Sequence, residues 1–219
     1  MSLHNQMLDR REGALRDHLI EQFDMVDQAV KRALTSLEEN DADLARSVIN
    51  NDGNINSKHQ QVENECVLII ARNQPVARDL RELLSDMHIS AELERIADYA
   101  SSIAAIVTEM NQTPDSEVRD AVIAMGRQCR DMLSEIRDAY ERHDVELANA
   151  VARMDDNIDE YEQGLIHQVF EHQNDHPQNY QSSTRLLWIT HNLERIGDRI
   201  TNIAERIVFI VTGQTAHLN

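Results

Sequence analysis

Leu93-Glu94-Arg95-Ile96-Ala97-Asp98 recurs one hundred residues later as Leu193-Glu194-Arg195-Ile196-Gly197-Asp198, with the single exchange of Ala97 for Gly197. Similarity at a fixed offset marks a duplicated structural unit, and two further matches fall in the same order. Asp41-Ala42-Asp43-Leu44-Ala45 is echoed by Asp144-Val145-Glu146-Leu147-Ala148, and Pro75 by Pro177. Chance would have to supply each match separately.

The second hexapeptide lies on a helix. Leu193, Ile196, Ile200, Ile203, Ile207 and Ile210 step by three or four, the spacing of one buried helical face. Leu15, Leu19, Gln22, Val26, Val30, Ala33 and Leu37 define such a face on a first helix that ends at Asn40-Asp41. A second helix runs from near Ala42 to Arg72, where Asn73-Gln74-Pro75 breaks it, because proline lacks the amide and restricts its predecessor. A third spans about Val76 to Met110. Asn111-Gln112-Thr113-Pro114-Asp115 is the most loop-like stretch and lies near the midpoint, which divides the chain into 1–111 and 112–219. The second half repeats the plan with helices over about Ser116–Arg142, Val145–Glu171 and Gln178–Val211. The expected fold is all-α: six long helices in two tandem antiparallel three-helix bundles, set end to end.

Composition agrees. Aromatic residues make up 4% of the chain, with 6 Gly and 3 Pro, too few turn and strand formers for an extensive sheet. A net charge of −18 opposes broad contact with nucleic acid or an anionic membrane face. Cys66 and Cys129 lie far apart and form no CxxC pair, which suits a reducing cytoplasm. The first residues lack the pattern of a secretory signal, and no run approaches the roughly 18 apolar residues of a membrane span, so direct membrane insertion is not expected.

On the last helix, Glu194, Asp198 and Glu205 fall within about 40° of one another at 100° per residue, with Asn202 beside them. Arg195, Arg199 and Arg206 occupy another sector. Like charges at i and i+4 repel weakly, and a cation between them removes the penalty. The preceding helix offers Asp155 and Asp159 at the same spacing, so four carboxylates could converge. The first-half equivalents are Glu94 and Asp98 with Asp52 and Asn56. Ser102 and Ala105 stand where the second half has Asn202 and Glu205, so the first site is expected to be the weaker. Oxygen donors favour Mg²⁺, Ca²⁺, Mn²⁺ or iron, and His191, in the sector of Glu194, would tilt the choice toward iron, manganese, nickel or zinc. A lone ExxxD pair reads as solvated surface charge; its duplication beside a second-helix pair favours metal. Taken alone, His191, His167, His172 and His176 read as solvent-facing.

The two hexapeptides, together with Ile69-Ile70-Ala71-Arg72-Asn73-Gln74-Pro75-Val76-Ala77-Arg78-Asp79-Leu80-Arg81 and Asn202-Ile203-Ala204-Glu205, resemble the PhoU family over essentially the whole chain. The resemblance implies two three-helix bundles related by a pseudo-twofold, with metal ions, in some members iron or zinc clusters, at paired E(D)xxxD motifs. Carried onto this sequence, those motifs are Glu94 and Asp98, Glu194 and Asp198, Asp155 and Asp159, and Asp52 with Asn56. Asn56 replaces a carboxylate, and Ala97 stands where the motif usually has Gly. The resemblance further implies a cytoplasmic, non-enzymatic negative regulator of the phosphate-starvation response. Its expected partners are the ATP-binding subunit PstB of the phosphate ABC transporter, the sensor histidine kinase PhoR, and a second copy of itself.

Rival classes fit less well. A ferritin-like di-iron enzyme uses Glu-x-x-His on two helices, and no Glu here has His three residues later. A metal-dependent phosphate hydrolase needs a closed pocket and a tuned general base, whereas these strips are expected on an open groove. A structural adaptor whose acid strips bind basic partner segments remains the alternative.

Overall fold

The computed structural model describes residues 3–110, 116–175 and 180–218. Six helices account for almost all of them: α1 (Leu3–Glu39), α2 (Ala42–Asn73), α3 (Arg78–Thr108), α4 (Ser116–Arg142), α5 (Val145–Asp175) and α6 (Tyr180–Thr212). The expected boundary at 111/112, Pro177 and Gln178 lie outside the described residues, as do the side chains of His172 and His176.

The echo of Asp41 in Asp144 has a structural cause. Asp41 caps α2 by accepting hydrogen bonds from the amides of Asp43 and Leu44, both at 2.9 Å. Asp144 caps α5 by accepting from Leu147 N at 3.0 Å. The residues before them, Asn40 and His143, adopt left-handed φ values of 52° and 53°. The cap amides then reach back to close the preceding helix, Asp41 N to Ser36 O and Asp144 N to Ala139 O, each 2.9 Å. One two-residue corner is thus built twice. At Pro75 the chain turns differently: Gln74 is left-handed and donates to Ile70 O at 3.1 Å, and Ala77 has φ 51°. Positive φ at Ala77 cannot extend a helix, so α3 starts at Arg78, two residues later than the periodicity suggested.

The predicted faces are buried. Leu15, Leu19, Val26, Val30, Ala33 and Leu37 of α1 and all six members of the α6 stripe are in one continuous core. Gln22, a polar residue in the α1 face, is fully buried because its side chain is satisfied: its amide donates to Ser90 O at 2.9 Å and its carbonyl accepts from Ser90 Oγ at 2.7 Å.

The expected end-to-end arrangement is corrected. The repeats lie flank to flank, with α3 packed along α6 and α1 along α4. Asp27 pairs with Arg130 at 2.8 Å, Asp24 with Arg137 at 3.0 Å and Glu38 with Arg127 at 3.0 Å across the α1–α4 seam. Glu92 receives Arg199 at 3.3 Å across the α3–α6 seam. The reason is the width of the apolar surface on the third helix of each repeat. Leu93, Ile96, Ala97, Ala100, Ile103, Ala104 and Val107 are all buried on α3, more than one bundle interior needs. The apolar end of α6 is likewise covered at Ile207, Val208 and Ile210. Gly126 permits the close α1–α4 approach, since a Cβ there would collide with Leu34.

Candidate metal centre

Asp155 on α5 faces the α6 backbone at Gly197. A Cβ at 197 would overlap Asp155 Oδ1, so glycine at this place in the hexapeptide admits the carboxylate to the helix–helix contact. The group is only 8% exposed, and Thr201 Oγ1, one turn further along α6, donates to Oδ2 at 3.1 Å. Burial pushes the Asp155 carboxyl up to about 6, against the Thr201 hydrogen bond that lowers it, and the charges of Asp198, Asp159 and Glu194 push it further. Glu194 is likewise raised, first by burial, then by Asp198 and Glu162. Asp159, Glu194 and Asp198 therefore lie within electrostatic reach of Asp155. Arg195 flanks them, 3.6 Å from Glu194 and 3.8 Å from Asp198.

The first repeat assembles a counterpart from α2 and α3. Glu94 is raised by burial and then by Asp98, and Asp98 by burial and then by Asp52. Asn56 Nδ2 donates to Asp52 Oδ2 at 3.3 Å. Two acceptors remain shut off from water with no donor, Asp52 Oδ1 and Asn56 Oδ1; in the second repeat Glu194 Oε2 is in the same state. Buried acceptors without donors are costly, and a bound cation satisfies such oxygens. Oxygen donors suit a hard or borderline ion, but among the described residues neither set brings three carboxylate oxygens within 4.8 Å of one another.

Asn202 and Glu205 lie elsewhere. Asn202 turns to Glu92 of α3, donating at 3.4 Å across the seam, and Glu205 Oε1 accepts from Leu218 N at 3.0 Å. A helical wheel ignores axial rise: Glu205 lies eleven residues, about 16 Å, along the helix from Glu194. His191 remains near Glu194, with Nδ1 3.7 Å from its Oε2 and 3.5 Å from Glu162 Oε1. Glu162 is the residue sequence reasoning missed. The donor atoms of Glu162, His191 and Glu194 lie within 4.8 Å of one another. The spacing Asp155, Asp159, Glu162 (i, i+4, i+7 on one helical face) was the available signal. His167 is exposed on α5.

The PhoU domain model matches this chain twice, over residues 19–107 and 122–207. The chain belongs to the PhoU family. It is 32% identical over 201 residues to the phosphate-specific transport system accessory protein PhoU of Escherichia coli (strain K12), covering 92% of this chain and 83% of that one. It is 34% identical over 214 residues to the PhoU homologue of Pseudomonas putida, covering 95% and 82%. Among solved structures, PhoU from Streptococcus pneumoniae superposes with a TM-score of 0.90 at 28% identity, covering 96% of this chain and 99% of that one. PhoU from Pseudomonas aeruginosa gives 0.90 at 31%, covering 94% and 99%. Members of the PhoU family are regulatory accessory proteins, and this chain is not an enzyme. No described helix is long and apolar enough to cross a membrane.

Proposed function

We propose that this chain is an accessory protein of phosphate-specific transport that restrains phosphate uptake and the phosphate-starvation response. It acts as a metal-binding adaptor between the ATP-binding subunit PstB of the phosphate ABC transporter and the sensor histidine kinase PhoR, at the cytoplasmic side, as a homodimer. Residues 1–111 and 112–219 form its two repeats. The observation that carries this reading is the double PhoU match, joined to relatives whose names place them in phosphate-specific transport. Asp155, Asp159, Glu194 and Asp198 would hold one ion, and Asp52, Asn56, Glu94 and Asp98 a second in the weaker site. Bound iron, zinc, manganese, nickel or magnesium would supply positive charge that neutralises the strips.

Deleting the gene should switch on phosphate-starvation genes in phosphate-rich medium, and the wild-type copy should silence them again. Genes that stay silent after deletion would contradict the proposal. A second reading draws on Arg195, which already rests its guanidinium beside Glu194 and Asp198. The strips would then receive basic segments of a partner, and metal would be incidental. Repression that persists when the cells are depleted of metal, but is lost with Glu194→Ala/Asp198→Ala, would favour that reading.

A further inference from the structure

His191 Nδ1 stands between two carboxylate oxygens, 3.5 Å from Glu162 Oε1 and 3.7 Å from Glu194 Oε2. Both separations are too long for a good N–H···O bond, which falls at 2.7–3.2 Å. They are close to the roughly 3.4 Å between ligands held about 2.1 Å from a tetrahedral ion. Glu194 Oε2 is buried and accepts no hydrogen bond. His191 and Glu194 sit one turn apart on α6, and Glu162 faces them from α5, so two packed helices fix the three groups.

From this geometry we infer that Glu162, His191 and Glu194 form a site for a borderline divalent ion of the zinc, nickel and cobalt type, at the end of the carboxylate strip. The site shares Glu194 with the strip of the proposed function and otherwise stands on its own residues. One imidazole nitrogen with two carboxylates selects such ions over Mg²⁺ and Ca²⁺, which take oxygen. Three protein ligands leave coordination positions open to water or to a group from a partner.

The site belongs to one repeat only. The offsets that pair Asp155 with Asp52 and Leu193 with Leu93 place His59 opposite Glu162 and Ala91 opposite His191. Ala91 has no donor. His59 Nδ1 is 2.9 Å from Ser90 Oγ, whose own proton goes to Gln22 Oε1, so the imidazole donates into the core. Among the described residues, Glu162, His191 and Glu194 are the one His/Cys/Asp/Glu group with this spacing. One ion per chain is expected at such a site.

The protein carries its own reporter. Trp188, the single tryptophan, lies one turn before His191 on α6 and lines the same cleft as His191 and Glu162. Full-length, tag-free protein freed of metal with a chelator is titrated at pH 7.5 with Co²⁺, Ni²⁺ or Mg²⁺ while Trp188 fluorescence is followed. Co²⁺ and Ni²⁺ should quench it at one equivalent, and Mg²⁺ at the same concentration should not. His191→Ala and Glu162→Gln should each weaken the quenching at least tenfold with unchanged helical circular dichroism. Asp155→Asn/Asp198→Asn, which disables the strip, should leave it in place. Quenching that survives both His191→Ala and Glu162→Gln, that disappears in the strip variant alone, or that never occurs would overturn the inference. Elemental analysis of the strip variant reads the strip separately, so either site can fail while the other stands.

Discussion

Gly197 and Ala97 occupy equivalent places, and their difference has a measurable consequence. A methyl group at 197 would strike Asp155 Oδ1, so Gly197→Ala must displace that carboxylate or part α5 from α6. We expect a loss of about 1–3 kcal/mol, the usual range for overpacking, in urea denaturation of metal-free protein. The converse change, Ala97→Gly, should cost no more than about 1 kcal/mol, the helix-propensity difference. A Gly197→Ala variant as stable as the parent would show that Asp155 does not need the glycine. The carboxylates Glu194 and Asp198 were legible from the hexapeptide, because a helix fixes their mutual angle. The burial of Asp155 was not: its i, i+4 partner Asp159 is exposed, and only the packing of α5 on Gly197 separates the two. Asn202 and Glu205 show the limit of angular reasoning, since the same wheel sector holds residues that meet a neighbouring repeat and the C-terminal segment.

At the scale of elements, the two helical corners make a matched pair of tests. Asp41→Ala and Asp144→Ala each remove a side-chain cap, and each should destabilise the protein by about 1 kcal/mol in urea denaturation. The contact of α3 with α4 carries a pH dependence. Asp86 is buried and accepts from Tyr140 Oη at 2.8 Å; burial pushes its carboxyl up to about 7, with Glu82, His143 and Arg16 also facing it. The folded state therefore keeps a proton there that the unfolded chain releases near pH 4. Folding stability from this group is highest in acid and falls as pH rises from about 4 to about 7. Asp86→Asn keeps an acceptor for Tyr140 without the charge. It should be the more stable protein at pH 8, by on the order of 2–4 kcal/mol, with the gap closing by pH 4.5 in thermal denaturation. A constant gap would rule out Asp86 as the titrating group. Helix positions themselves were legible, because caps and proline breaks are local chemistry. The flank-to-flank docking was not, because a single amphipathic stripe describes one bundle and says nothing of a second apolar face on α3 and α6.

For the whole molecule, duplication places two acidic centres in one chain and lets them diverge. Asp52 and Asn56 leave one charge fewer in the first repeat, while Glu162 and His191 enlarge the second. Metal-free protein should consequently gain more from a cation at the second repeat. Manganese or zinc should raise its thermal midpoint, and Glu194→Ala/Asp198→Ala should remove more of that rise than Glu94→Ala/Asp98→Ala. Equal losses would mean the repeats are equivalent. The most direct test of the central claim is elemental analysis of purified, tag-free protein beside the Glu194→Ala/Asp198→Ala variant. The account predicts stoichiometric iron, zinc, manganese or nickel in the native protein, lost in a variant that stays folded; equal and negligible metal in both, even after incubation with each cation, would contradict it.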